Sequence, residues 1–400
     1  MAPCPVFRKC GGCQLQNMDY KRQLQWKQDR CERLLGGFCR ISPILGMENP
    51  YHYRNKVQAA FGVNRSGKII SGVYQSSTHR IVPVDSCQTE DKKADEIICT
   101  VRKLLTDFKL TAYNEYKGRG FLRHVLVKRG FSTDELMVVL VTTTPVFTAK
   151  KHFVQALLSR HPEITTIVQS VNARQTSMVL GEQEKVLYGS GMITDMLCGK
   201  KFRISARSFY QINPMQTEVL YGKAIEFAGL RGDERLLDAY CGIGTIGIIA
   251  AGNAEQVMGV EQNRAAVRDA VYNARQNKTE NIYFYCADAG DFMLDMAAQK
   301  EKLDVLMMDP PRAGASTAFL GAVCKLMPSR IVYISCNPET LTRDLGYLTK
   351  QGGYTVKKIQ PVDMFPHTNH IECVVLMSRK KGGTAAVQGF ARTEKKFVVS

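Results

Sequence analysis

No run of about 18 apolar residues occurs in the sequence, which removes a membrane-spanning helix from consideration. Its first residues, MAPCPVFRKCGGCQ, contain no apolar stretch of the kind a secretory signal needs, so a cytoplasmic location is expected. Without export, the 13 cysteines do not read as a disulfide framework; thiols kept for metal binding or catalysis fit better. Acidic residues are few beside basic ones, 37 against 54, a net charge of +17. The imbalance is uneven. Residues 1–200 carry 29 Lys and Arg against 17 Asp and Glu, while residues 201–400 carry 25 against 20. A basic N-terminal half suits a polyanion partner, although a solvated basic surface would look the same. No internal repeat is visible.

What remains is an ordinary globular balance, 44% apolar and 23% charged, over 400 residues, enough for two or three domains. Residues 1–45 bear cysteines and then the helical pattern YKRQLQWKQDRCERLL, stopped by Gly36-Gly37. Residues 46–205 turn β-rich. NKVQAAFGVNRSGKIISGVYQ predicts two strands about an Asn-Arg-Ser-Gly turn, and FLRHVLVKRG with ELMVVLVTTTP a buried hairpin. This is read as an α+β domain. Residues 206–380 alternate strands and helices, which predicts a doubly wound, mainly parallel sheet of the Rossmann-like α/β class. The basic remainder, 381–400, is expected to be disordered.

Gly242, Gly244 and Gly247 in DAYCGIGTIG spell G-x-G-x-x-G between a strand and a helix, and Glu261 follows where a ribose-binding acid belongs. A nicotinamide or flavin oxidoreductase would use the same pattern, as would S-adenosylmethionine. Asp288 in YCADAGD and Asp309 in MMDPPR add acids at two further strand ends, the edge where open α/β sheets bind ligands, and favour the methyl donor. The prolines after Asp309 suit a rigid lip around a flat base. In RIVYISCNPETLTRD, Cys336 sits between a strand end and an expected helix N-terminus capped by Asn337, with Pro338 at the first helical position. Partial positive charge there would favour a thiolate; the plainer alternative is a buried structural cysteine. Cys4, Cys10 and Cys13 form C-x5-C-x2-C, able to hold zinc or an iron–sulfur cluster, with Cys31, Cys39, Cys87 and Cys99 all competing as a fourth ligand.

DAYCGIGTIG, DPPRAG, ISCNPETLTRDL and VDMFPHTNHIECV, preceded by SFYQINPMQTEVLY, together resemble the RNA (uracil-5-)-methyltransferases over nearly the whole chain. The resemblance implies a class I methyltransferase domain that makes 5-methyluridine, with an RNA-recognition domain over 46–205. It puts the nucleophile on Cys336 and the base on Glu372, and carries over Gln211, Tyr240, Glu261, Asp288 and Asp309 as methyl-donor or base contacts. The chemistry agrees. Carbon 5 of uracil is a poor nucleophile until a thiolate adds to carbon 6, and a base must then take the carbon-5 proton. A metal site of His367, His370 and Glu372 is the competing reading of the last motif. Where several relatives have Asn in the glycine loop, this chain has Thr245. The resemblance also selects Cys87 as fourth ligand with Cys4, Cys10 and Cys13, and implies a 4Fe-4S cluster. Relatives often carry a small RNA-binding domain ahead of the cysteines, which is expected to be missing here. Cluster-bearing bacterial members point to 23S ribosomal RNA as substrate, with transfer RNA the alternative; in either, the target uridine must leave its stack. No obligate protein partner is indicated.

Overall fold

Asn64 makes the first turn. Its side-chain oxygen accepts the N–H groups of Ser66 (3.1 Å) and Lys68 (2.9 Å), and Gly67 takes the left-handed backbone at φ 79°. The turn folds β1 (Lys56–Val63) back on β2 (Ile69–Tyr74), as the sequence predicts. The computed structural model describes residues 4–76, 78–174 and 178–380; the expected disordered segment 381–400 lies outside the described residues.

β3 (Ile81–Pro83), β4 (Leu122–Arg129), β5 (Leu136–Thr142), β6 (Ile164–Val171) and β7 (Gln183–Tyr188) complete a sheet ordered β3-β2-β1-β4-β5-β6-β7. All its neighbours are antiparallel except β5 and β6, which the helix Lys150–Arg160 connects as a crossover. The hydrophobic runs of β4 and β5 lack polar alternation because both faces are covered. Val125, Val127, Val138 and Leu140 pack against the helices Lys92–Asp107 and Lys150–Arg160. Leu126, Met137, Val139 and Val141 meet a hairpin of β8 (Met192–Leu197) and β9 (Lys200–Ser205). That second face joins the core of the C-terminal half.

There, β10 (Arg235–Ala239), β11 (Gln256–Glu261), β12 (Ile282–Cys286), β13 (Val305–Met308), β14 (Arg330–Ser335), β15 (Tyr354–Val362) and β16 (Glu372–Arg379) are ordered β12-β11-β10-β13-β14-β16-β15. The first five are mutually parallel, as expected; β16 runs antiparallel between β14 and β15. Period-two sequence reading does not show strand direction, and the short return through residues 363–371 reverses the chain. Helices cover both faces, so the sheet is doubly wound. Strand order reverses between β10 and β13, which opens the crevice at their C-terminal ends.

The N-terminal helix Tyr20–Leu35 starts at its Asp19 cap and ends at Gly36. It buries Gln23, Lys27, Cys31 and Leu35, four residues apart and so on one face. That face packs on the C-terminal sheet, where Cys31 and Leu35 join Tyr333, Val375 and Met377. The Lys27 ammonium lies 2.5 Å from the Asp363 carboxylate with both side chains fully buried, and Tyr20 donates its hydroxyl to the same carboxylate at 2.9 Å. Bridges at Ile41–Ile359 and Leu45–Val362 extend the attachment along β15. Among the described residues no helix is long and apolar enough to cross a membrane.

Replacing Lys27 with Met leaves a buried carboxylate without its cation. We expect a loss of about 3–5 kcal/mol in urea unfolding, most of it recovered in the double variant Lys27→Met/Asp363→Leu. A single variant within about 1 kcal/mol of the parent would show that the pair does not hold this helix in place.

Candidate active site and cysteine cavity

The glycine loop after β10 is shaped by close contacts. Gly242 and Gly244 adopt φ 56° and 82°, and a Cβ on Gly244 would stand 2.8 Å from the Phe284 ring. Asp238, inside β10, accepts the Gly247 N–H at 2.8 Å through one carboxylate oxygen; its other oxygen is buried with no partner among the described residues. Burial, then the charges of Asp309 and Glu261, pushes this carboxyl up to about 7 against the pull of the Gly247 N–H. The sequence reading passed over Asp238. Its signal was a lone acid near the end of the apolar strand RLLDA, just before the glycines.

Glu261 closes β11 and accepts the N–H groups of Gly242 (3.2 Å) and Asn263 (2.7 Å), which fixes its carboxylate beside the loop. Asp288 caps the helix Ala289–Ala298 by accepting from Gly290 (2.8 Å) and Asp291 (3.1 Å), and the Gln262 amide donates to it at 2.5 Å. Tyr240 has a left-handed backbone, φ 65°, and its ring rests 5.1 Å from that of Phe319. Gln211 and Thr245 both lie beside the buried Tyr221 hydroxyl, which Asp309 also faces. Thr245 thus has a neighbour within the protein, the tyrosine that ends SFYQINPMQTEVLY.

Strand register brings Cys336 and Glu372 together. β14 and β16 pair Ser335 with Cys373, so the next step along each places Cys336 opposite Glu372 at the sheet edge. Asn337 caps the helix Pro338–Gln351 through the Glu339 N–H (3.2 Å), with Pro338 at the first turn, as expected. The expected easy thiolate is overturned. Burial comes first, with the Glu372 and Asp309 charges behind it, and together they push the Cys336 thiol up to about 11 despite Arg312 nearby. Burial, aided by Asp309, holds the Glu372 carboxyl well above the usual range, and burial alone lifts Asp309 to about 7.

His367 does not join Glu372 in a metal site. Its ring nitrogens meet the Gln23 amide (3.1 Å) and the Pro50 carbonyl (3.1 Å), while His370 lies 3.3 Å from Arg312. The competing metal reading is therefore set aside.

A second constellation lies at the N-terminus. Cys4, Cys10, Cys13 and Cys87 all line one cavity of about 340 Å³, walled by Val6, Phe7, Val73 and Val84. Of the other competitors, Cys31 faces Cys373 with the sulfurs 3.9 Å apart, Cys99 donates to the Asp85 carbonyl at 3.5 Å, and Cys39 lies elsewhere. Burial pushes Cys13 up to about 12 and Cys87 up to about 11, and Cys13 feels the charges of the other three. Among the described residues no three His, Cys, Asp or Glu side chains are drawn close enough to grip a single metal ion.

The tRNA (uracil-5-)-methyltransferase family model matches residues 19–380. The chain is 45% identical over 384 residues to an uncharacterized RNA methyltransferase of Halalkalibacterium halodurans, covering 95% of this chain and 83% of that one. It is 43% identical over 383 residues to one of Bacillus cereus, covering 94% and 83%. Among solved structures, the Pyrococcus abyssi tRNA (uracil-54, C5)-methyltransferase bound to S-adenosyl-L-homocysteine superposes with a TM-score of 0.77 at 28% identity, covering 92% of this chain and 85% of that one. The fold built around this edge is thus the class I methyltransferase fold, and the chain belongs to the tRNA (uracil-5-)-methyltransferase family.

Proposed function

We propose that the protein methylates carbon 5 of a uridine in RNA, taking the methyl group from S-adenosyl-L-methionine. The observation that carries this reading is the β14–β16 register, which sets Cys336 against Glu372 on the edge that also bears the glycine loop and Asp309. The residues fit the donor. The unpartnered Asp238 oxygen, the positive-φ glycines and the fixed Glu261 carboxylate offer acceptors and backbone room to a ribose and an amino group, with Gln211, Tyr240 and Asp288 around them. The donor supplies an electrophilic methyl on a sulfonium.

In this reading Cys336 Sγ bonds to carbon 6 of the flipped uracil, and carbon 5, now enolate-like, takes the methyl group. Glu372 then removes the carbon-5 proton as the sulfur–carbon 6 bond breaks and the thiolate leaves. Burial and the charge of Glu372 raise the Cys336 thiol, and burial with the charge of Asp309 raises the Glu372 carboxyl. A sulfonium brought to this edge adds positive charge and lowers both groups, so donor binding readies the thiol.

We further propose that residues 46–205 are the RNA-recognition domain, and that Cys4, Cys10, Cys13 and Cys87 hold a 4Fe-4S cluster. Their shared cavity supports this, and the cluster's role is structural because methyl transfer moves no net electrons. With a cluster, 23S ribosomal RNA is the favoured substrate. Transfer RNA is the second reading, supported by the substrate of the Pyrococcus abyssi relative. Mass-spectrometric mapping of 5-methyluridine in both RNAs, with and without the gene, decides between them.

Two variants separate the catalytic roles. Cys336→Ala forms no covalent RNA adduct and no product. Glu372→Gln transfers methyl but stalls, leaving a methyl-labelled protein–RNA band on a denaturing gel; an adduct in Cys336→Ala would move the nucleophile elsewhere.

Iodoacetamide should alkylate Cys336 slowly at pH 7. The thiol's raised pKa means the thiolate fraction grows about tenfold per pH unit toward about 11. S-adenosylmethionine should speed labelling at pH 7 relative to the uncharged-sulfur S-adenosylhomocysteine, and equal rates would remove the sulfonium from this account.

Anaerobically purified protein should hold about four irons, lost in Cys87→Ser and kept in Cys99→Ser. The reverse pattern would exchange the fourth ligand.

A further inference from the structure

A concavity of about 730 Å³ lies away from the reactive edge, on the α+β sheet. Its floor is Phe61, Gly62 and Tyr113, and its walls include Arg65, His79, Arg80 and Tyr116. The floor is braced from beneath. Arg123 lies 4.6 Å from the Tyr113 ring centroid and donates to the Asn172 (3.1 Å) and Arg174 (2.7 Å) carbonyls. Tyr116 sits on a turn closed by its own bonds, Asn114 N–H to the Arg119 carbonyl (2.8 Å) and Lys117 N–H to the Asn114 side chain (3.0 Å). Its ring is 83% exposed and, among the described residues, stacks on no other ring.

The charge is equally one-sided. Arg65 and Arg80 in the walls form no ion pair among the described residues. The one acid in the lining, Glu115, is occupied by Arg123 (3.4 Å) and the Tyr74 hydroxyl (3.1 Å). A rigid pocket with unpaired guanidinium groups and an open aromatic face has the chemistry that takes a phosphate and a stacked base.

We propose that this pocket binds an unpaired nucleotide of the RNA substrate, at a second site remote from the methylated uridine; this rests on the RNA methyltransferase reading above. Tyr53 ties the start of β1 to the loop before Glu372, its hydroxyl donating to the Pro366 carbonyl at 3.0 Å. The pocket opens at the far end of β1, roughly 25 Å along the strand at about 3.3 Å per residue. One nucleotide cannot span both places. The pocket therefore grips a separate part of the same RNA and selects substrates that present an unpaired base at that distance.

The probe is a fluorescein-labelled ten-uridine oligonucleotide, read by anisotropy at several salt concentrations with the full chain. Arg65→Ala/Arg80→Ala should lower the magnitude of the log–log salt slope by about 1.4, since each phosphate that a cation neutralises on a single strand contributes roughly 0.7. Tyr116→Ala should weaken binding roughly 5- to 100-fold with the slope kept. Lys150→Ala/Lys151→Ala, on a helix elsewhere in the same domain, is the control for general loss of charge and should leave both quantities near the parent. All these side chains lie at the surface, and unchanged S-adenosylhomocysteine calorimetry checks the fold. With whichever RNA the parent methylates, the pocket variants should raise KM and leave kcat. Unchanged affinity and slope, or an equal fall in the control, overturn the pocket while leaving the methylation reading intact. A parent that methylates neither RNA, with the slope still falling in Arg65→Ala/Arg80→Ala, overturns that reading and keeps the nucleotide site.

Discussion

A lysine ammonium and an aspartate carboxylate, 2.5 Å apart with neither exposed, set the relation between the two ends of this chain. Taking both charges out of water costs several kcal/mol per ion, so the pair persists only where other bonds complete it. Here Lys27 also donates to the Phe365 carbonyl at 3.1 Å, and Tyr20 donates to Asp363 while accepting the Met47 N–H at 2.8 Å. Burial lowers the Lys27 pKa, and the carboxylate beside it opposes the fall. The pair fixes one point of the loop 363–371, whose far end is Glu372.

The cysteine segment grips the same loop elsewhere. Leu15 N–H donates to the His367 carbonyl (2.9 Å), Asn369 N–H to the Gln14 side chain (3.3 Å), and Gln23 receives the His367 N–H (2.9 Å). Arg54 lines the cysteine cavity, and its neighbour Tyr53 reaches Pro366. Residues far apart in sequence therefore share one short return between β15 and β16. Carboxylates that act as bases must be held to a fraction of an ångström, and so short a return could not do that alone. Anything that orders the cysteines orders the approach to Glu372 through these bonds.

How far this was legible depended on the range of each signal. Local chemistry read well: the Asn64–Gly67 turn, the Asn337 cap with Pro338, and the Gly36 stop all appear where their side chains dictate. Strand existence in the C-terminal half followed from apolar runs, but the antiparallel insertion of β16 did not, because direction is decided by pairing across the sheet. The chemical environment of Cys336 was misjudged for the same reason. A helix N-terminus is visible in the sequence; the carboxylates of Glu372 and Asp309 that outweigh it arrive from other strands. Asp238 was missed although it opens the motif DAYCGIGTIG, since the glycines that follow carry the stronger local signal. Tyr221 and Asp363 lie inside the motifs SFYQINPMQTEVLY and VDMFPHTNHIECV, but what each meets is set by contacts across the fold.

The distribution of charge follows from the two partners the chain must hold. The protein carries a net +17, yet its reactive edge gathers Asp238, Glu261, Asp309 and Glu372, where the charges of Asp309 and Glu261 help raise Asp238 and that of Asp309 helps raise Glu372. A polyanionic RNA would be repelled by such a cluster if the carboxylates were fully ionised. Burial, which raises Asp309 and Glu372, favours their neutral forms and so lessens that repulsion. The cations sit elsewhere, in exposed positions on the α+β sheet where phosphates can reach them. A cationic methyl donor, by contrast, is drawn to the acidic edge and strengthens the ionised forms on arrival. One chain can thus attract RNA over a basic surface and keep an acidic reaction edge, provided the two regions stay separate. The sheet of β1 to β7 supplies that separation.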